Sequence, residues 1–139
     1  MDFIAAFAVV ALLLPVAEEL VFRGIAYGPL FRKFGPIGAA VGTAVFWAGA
    51  HYEGPSVAST FRVAEVFVLG VVYAEVYRRR ESIVPTVTFH IVGNTASVFI
   101  GDPHLQTLLP LGFSAVVLWI GSIVAFRWIS SGGVSSYPT

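Results

Sequence analysis

Two adjacent glutamates, Glu18 and Glu19, with Arg23 four residues further on, interrupt an apolar stretch that runs from Phe3 to Tyr27. A charge at the centre of a bilayer costs roughly 2.5 to 3.5 kcal/mol on insertion scales, so three in one spanning helix imply a chemical purpose. Helical geometry sorts them. Glu19 and Arg23, at i and i+4 with the acid on the N-terminal side, stand in the favourable order for an ion pair. Glu18 lies about 100° around the wheel, leaving its carboxylate free to titrate or to bind water. Burial and the nearby guanidinium act on it in opposite directions, an arrangement suited to a general base. Two further apolar segments carry polar groups: His51 ends the run Phe46-Trp47-Ala48-Gly49-Ala50-His51, and His90 and Asn94 share a face at i and i+4.

Gly and Pro divide the chain into the helices that must position these groups. Helix A is expected over about residues 3–27, stopping at Gly28-Pro29, and helix B starts after Gly35-Pro36 and runs to His51 or Tyr52. Helix C follows from about Val57 to Tyr77, and helix D over 83–99 with Ser82 as its N-cap. Helix E, about 106–129, contains the uncharged run Leu108 to Phe126, long enough to cross about 30 Å of hydrocarbon. Pro15 withholds an N–H from the carbonyl near Ala11, so helix A should kink just ahead of its glutamates. At 1.5 Å per residue from the nearest turns, Glu18, His51, His90 and Asn94 fall at depths of about 12 to 22 Å and can meet near the midplane. The expected fold is all-α, a polytopic transmembrane bundle of about five helices. Residues 1–129 form the core and 130–139 a loose polar tail.

Composition agrees with a bilayer as solvent. Hydrophobic residues make up 57% of the 139 and charged residues 12%, with mean hydropathy +0.84; a soluble domain carries about 25% charged residues. A net charge of zero removes the electrostatic footprint of a nucleic-acid binder. The absence of cysteine excludes thiol catalysis, disulfides and Cys-ligated metals. Short loops make successive helices antiparallel, so Arg32, Lys33, Arg78, Arg79, Arg80 and Arg127 share one side, with only Arg62 opposite. By the positive-inside rule the basic loops and the C-terminus are cytoplasmic. The N-terminus then lies outside with only Met1 and Asp2 ahead of the first span, an arrangement that points to further helices upstream of this chain.

The ordered set Glu-Glu-x-x-x-Arg, aromatic-x-x-x-His and His-x-x-x-Asn on successive apolar helices resembles the CAAX protease and bacteriocin-processing family. These are intramembrane glutamic endopeptidases related to the Ras-converting CAAX endopeptidase. The resemblance spans roughly residues 15–126 and includes the run Phe67-x-x-Gly70. It implies a conical intramembrane active site, a peptide or lipidated-protein substrate, and no cofactor. Glu18 with His51 would activate a water, Glu19 and Arg23 would hold the carboxylates, and His90 and Asn94 would donate to the oxyanion. Trp47 fills an aromatic position usually held by phenylalanine, with packing as its expected role. Ala74 stands where a second glycine often follows Gly70, and the relatives have about eight helices against five here.

Other readings of the same residues stay open at this level. Glu18, Glu19 and Arg23 could form a structural ion-pair cluster, His90 and Asn94 an interhelical hydrogen-bond pair, and His51 an interfacial side chain. Glu18, His51 and His90 could ligate zinc for the same hydrolysis. Buried Glu and His groups also serve transporters and proton relays, although no inverted repeat is visible. Glu75, with Arg78 and Arg79 at i+3 and i+4, reads as a surface ion-pair group. Glu53, Glu65, Arg62, Asp102 and His104 read as solvated.

Overall fold

The computed structural model describes residues 2–99, which are helical throughout apart from short connections and include no strand. Helix E, the 130–139 tail, Asp102 and His104 lie outside the described residues. Helical backbone runs from Phe3 to Ala50 and is broken once, at Gly35 (φ 71°, ψ −176°), a conformation open essentially to glycine alone. The break separates α1 (residues 3–34) from α2 (residues 36–50). Helix α3 is Val57–Arg80 and α4 is Val84–Phe99.

Helix α1 starts at Asp2, whose side chain accepts the Ala5 N–H at 2.7 Å. It does not stop at Gly28-Pro29 as the sequence suggested. Two wide π turns, Ala8–Leu13 and Leu20–Ala26, precede Pro15 and Pro29 respectively. A helical proline lacks an N–H and its ring presses on the carbonyl four residues back. Widening the turn ahead of it relieves that conflict without ending the helix: Leu14 N–H reaches back to Val9 and Tyr27 N–H to Phe22, five residues each. π turns of this kind collect at functional sites. Here they bracket Leu14–Glu19, the regular α segment that ends on the two glutamates.

The four helices fold as successive antiparallel hairpins. Around Gly35, α2 turns back along α1, so that Gly42 faces Leu30 and Trp47 faces Phe22. His51 closes α2, and Ser56 opens α3 by accepting the Ser59 N–H at 3.0 Å. Glu81, in the left-handed region at φ 51°, closes α3 with its N–H on the Tyr77 carbonyl at 2.8 Å. Ser82 accepts the Val84 N–H at 3.2 Å, so α4 begins one residue later than its sequence signal suggests. Helix α4 lies against both the N-terminal half of α1 and α3.

Small residues let α2 and α3 approach closely. Ala39, Ala44, Gly70 and Ala74 are all buried, and a Cβ added at Gly70 would stand 2.9 Å from the Cα of Ala44. Close backbone approach through small side chains is how helices associate where lipid removes the hydrophobic drive. Ala74 packs with Tyr27 and Ala39, so alanine meets the need there. The outer surface is apolar, with Leu13, Ile25, Ile37 and Phe46 among the exposed side chains. Phe3–Ala50 and Val57–Arg80 are the described helical stretches long and apolar enough to cross a membrane. With Glu19 and Arg23 turned inward, the exposed charges confined to helix ends and connections apart from Arg62, and the hydrophobes outward, this is a membrane protein.

Candidate active site

Glu19 and Arg23 form a fully buried ion pair, Arg23 Nη1 donating to Glu19 Oε1 at 2.8 Å. The i, i+4 spacing is thus realised across the start of the second π turn. Arg23 donates through Nη2 to the Gly70 carbonyl at 2.9 Å. Its guanidinium carbon lies 5.0 Å from the Trp47 ring centroid and 5.5 Å from that of Tyr73. One cation therefore ties α1 to the backbone of α3 while lying over two neighbouring aromatic rings, a use of planarity and multiple donors that lysine lacks.

Glu18 turns toward α2, as expected from the 100° offset, but it is not free. Trp47 donates its indole N–H to Glu18 Oε2 at 2.8 Å. His90 approaches the same oxygen with Nε2 at 3.5 Å and turns Nδ1 to Glu19 Oε1 at 3.3 Å. The buried imidazole from α4 thus stands between both carboxylates, edge-on to the Trp47 indole with ring centroids 5.1 Å apart. Oε1 of Glu18 has no protein donor among the described residues, and the side chain keeps 18% of its surface open. One oxygen is held and the other is available to water.

His51 is positioned by the residue one turn before it. Its Nδ1 lies 2.9 Å from the Trp47 carbonyl, and a carbonyl can only accept, so the ring hydrogen belongs on Nδ1. In the neutral ring that leaves Nε2 with an available lone pair. The imidazole also meets the Trp47 indole edge-on, centroids 5.7 Å apart. Glu18 and His51 are therefore joined through one residue, by its side-chain N–H and its main-chain carbonyl.

Asn94, one turn beyond His90 on α4, donates from Nδ2 to the Val10 carbonyl at 3.1 Å. The first π turn explains why that carbonyl is open. Leu14 N–H has moved to Val9, and the next residue, Pro15, has no N–H to give. The second hydrogen on Nδ2 is free of this contact.

Among the sequence-selected residues the structure gathers Glu18, Glu19, Arg23 and His90 into one contact set, with His51 attached through Trp47. Asn94 is set against α1 one turn away. Trp47 and Tyr73 were not selected as site residues. Trp47 was read as packing and is also the donor to Glu18, a role phenylalanine could not fill; its indole nitrogen in the aromatic-x-x-x-His motif was the available signal. Tyr73 stacks beside both Trp47 and His90, each with centroids 5.8 Å apart, and no motif marked it. Outside this set, Glu75 pairs with Arg78 at 2.7 Å and with Arg79, as its spacing suggested, although Glu75 and Arg78 are partly buried, and Arg62 pairs with Glu65.

Among the described residues no three His, Asp or Glu side chains are grouped as metal ligands. No curated protein and no solved structure was found to match the chain. The family model described as type II CAAX prenyl endopeptidase Rce1-like matches residues 1–96, and with that span, which contains every residue of the buried cluster, the chain belongs to this family of membrane peptidases.

Proposed function

We propose that the protein is an intramembrane endopeptidase that hydrolyses peptide bonds of membrane-associated substrates, prenylated CAAX-type or bacteriocin-like, without a metal. Its basic loops face the cytoplasm in a multi-pass arrangement, as the charge asymmetry of the sequence suggests. The observation that carries this reading is the arrangement of Glu18. One carboxylate oxygen is occupied by Trp47 while the other is open, and the same tryptophan leaves Nε2 of His51 basic. That supplies two bases for one water.

The chemistry proceeds in two steps. Water gives a proton to the Glu18–His51 pair as its oxygen bonds to the scissile carbonyl carbon, and the carbonyl π electrons move to oxygen. The tetrahedral oxyanion takes an N–H from the second hydrogen of Asn94 Nδ2 and one from His90 Nε2, which gives up its 3.5 Å contact with Glu18 to donate while Nδ1 stays on Glu19. Its collapse expels the amine, which recovers the proton held by the pair. Glu19 and Arg23 hold the backbone and the carboxylates in register throughout.

Cleavage of a fluorogenic prenylated CAAX peptide in proteoliposomes tests this. Glu18→Ala and His51→Ala are expected to abolish turnover while keeping the wild-type circular dichroism. Full activity in either variant would reject its assignment. Proton flux without cleavage by the wild-type protein would replace the peptidase with a relay.

A further inference from the structure

Trp47 is 2% exposed and is the largest of the fully buried side chains among the described residues. Its indole touches Phe22, Tyr73, His51 and His90 and lies under the Arg23 guanidinium. Nearly all of that could be supplied by phenylalanine. The indole N–H could not, and a buried indole needs an acceptor for it. Its acceptor is Oε2 of Glu18, not the fully buried Oε2 of Glu19, which has no partner among the described residues.

The terminal torsion of a glutamate is broad and roughly two-fold, so an unheld carboxylate exchanges its oxygens. An N–H donor on the oxygen at the Oε2 position, which His90 Nε2 also approaches at 3.5 Å, restricts rotation of the carboxylate plane and leaves the other oxygen without a protein donor among the described residues. The carbonyl of the same residue accepts from Nδ1 of His51 and so selects the tautomer whose Nε2 is basic. We infer that Trp47 is a positioning residue that orients Glu18 and His51 together toward one water. This rests on the reading of Glu18 and His51 as the water-activating pair.

Trp47→Phe removes the N–H and keeps an aromatic ring and the main-chain carbonyl. In proteoliposomes of the full chain with a prenylated CAAX peptide, kcat is expected to fall about 10- to 100-fold, the loss that follows from one hydrogen bond to a charged group. KM should stay within about twofold of wild type, since the substrate does not bind this N–H. Ultraviolet resonance Raman difference spectra, wild type minus Trp47→Phe, isolate the Trp47 N–H mode from Trp119 and Trp128. That mode is expected to move to the weakly bonded position in Glu18→Ala. Wild-type kcat in Trp47→Phe, or a change confined to KM, would overturn the inference. So would a wild type minus Glu18→Ala difference spectrum with no indole N–H band, a result that does not need Trp47→Phe to fold. No cleavage by wild type, with the Raman shift present, would instead strike the peptidase reading and leave only a structural hydrogen bond.

Discussion

Arg23 and Gly70 are joined by a hydrogen bond from a guanidinium on α1 to a main-chain carbonyl on α3, 2.9 Å long and 47 positions apart in sequence. The contact needs α3 to run close beneath α2, and Gly70 permits that. An added Cβ would meet Ala44 at 2.9 Å and the Trp47 ring at 3.1 Å.

Gly70→Ala is therefore expected to force α2 and α3 apart, because its first obstacle is backbone. Overpacking of this kind costs about 1 to 3 kcal/mol. Thermal unfolding in detergent should show a lower midpoint, with cleavage reduced as Trp47 is displaced. A wild-type midpoint and rate would show that the two helices have room for the added methyl group.

Arg23→Leu leaves Glu19 buried without its counter-charge, and losses of about 3 to 5 kcal/mol accompany such a change. Replacing both partners, Glu19→Leu with Arg23→Leu, should recover part of that stability while activity stays lost. Stability is checked by chemical denaturation in mixed micelles. A double variant less stable than either single one would mean that the pair does more than neutralise itself.

Asn94→Ala separates two roles. Loss of an oxyanion donor lowers turnover by about 10² to 10³, whereas loss of the Val10 contact costs about 1 kcal/mol of stability. Steady-state kinetics beside thermal unfolding reads both, and both changes are expected. Normal kcat with a lowered midpoint would confine Asn94 to supporting the first π turn.

Treatment with EDTA or 1,10-phenanthroline is expected to leave cleavage unchanged. Activity lost to chelation and restored by zinc would move Glu18, His51 and His90 from acid–base work into a ligand set.

Much of the site was legible because helical spacing is local. The i, i+4 relation of Glu19 to Arg23 and the turn away of Glu18 follow from the helix repeat alone, and both appear as read. Gly28-Pro29 misled as a stop because the backbone can absorb a proline by widening the preceding turn, and nothing in the residues announces that choice. The partner of Glu18 was hidden because Trp47 is 29 positions away and looks like packing. The acceptor of Asn94 was hidden more deeply, since Val10 is open only after the π turn has shifted the helix register.

By itself the sequence determined that this chain lives in lipid, that its elements are helices, and that a handful of charges inside them must meet one another. Those conclusions follow from solvation and from a fixed rise and rotation per residue. Which charge meets which group was decided only by tertiary structure, because the hinge at Gly35, the close approach at Gly70 and the register of the π turns set the relative rotation of whole helices. Rotation of a helix by one residue, about 100°, would carry Trp47 away from Glu18 with no change in composition, pattern or motif.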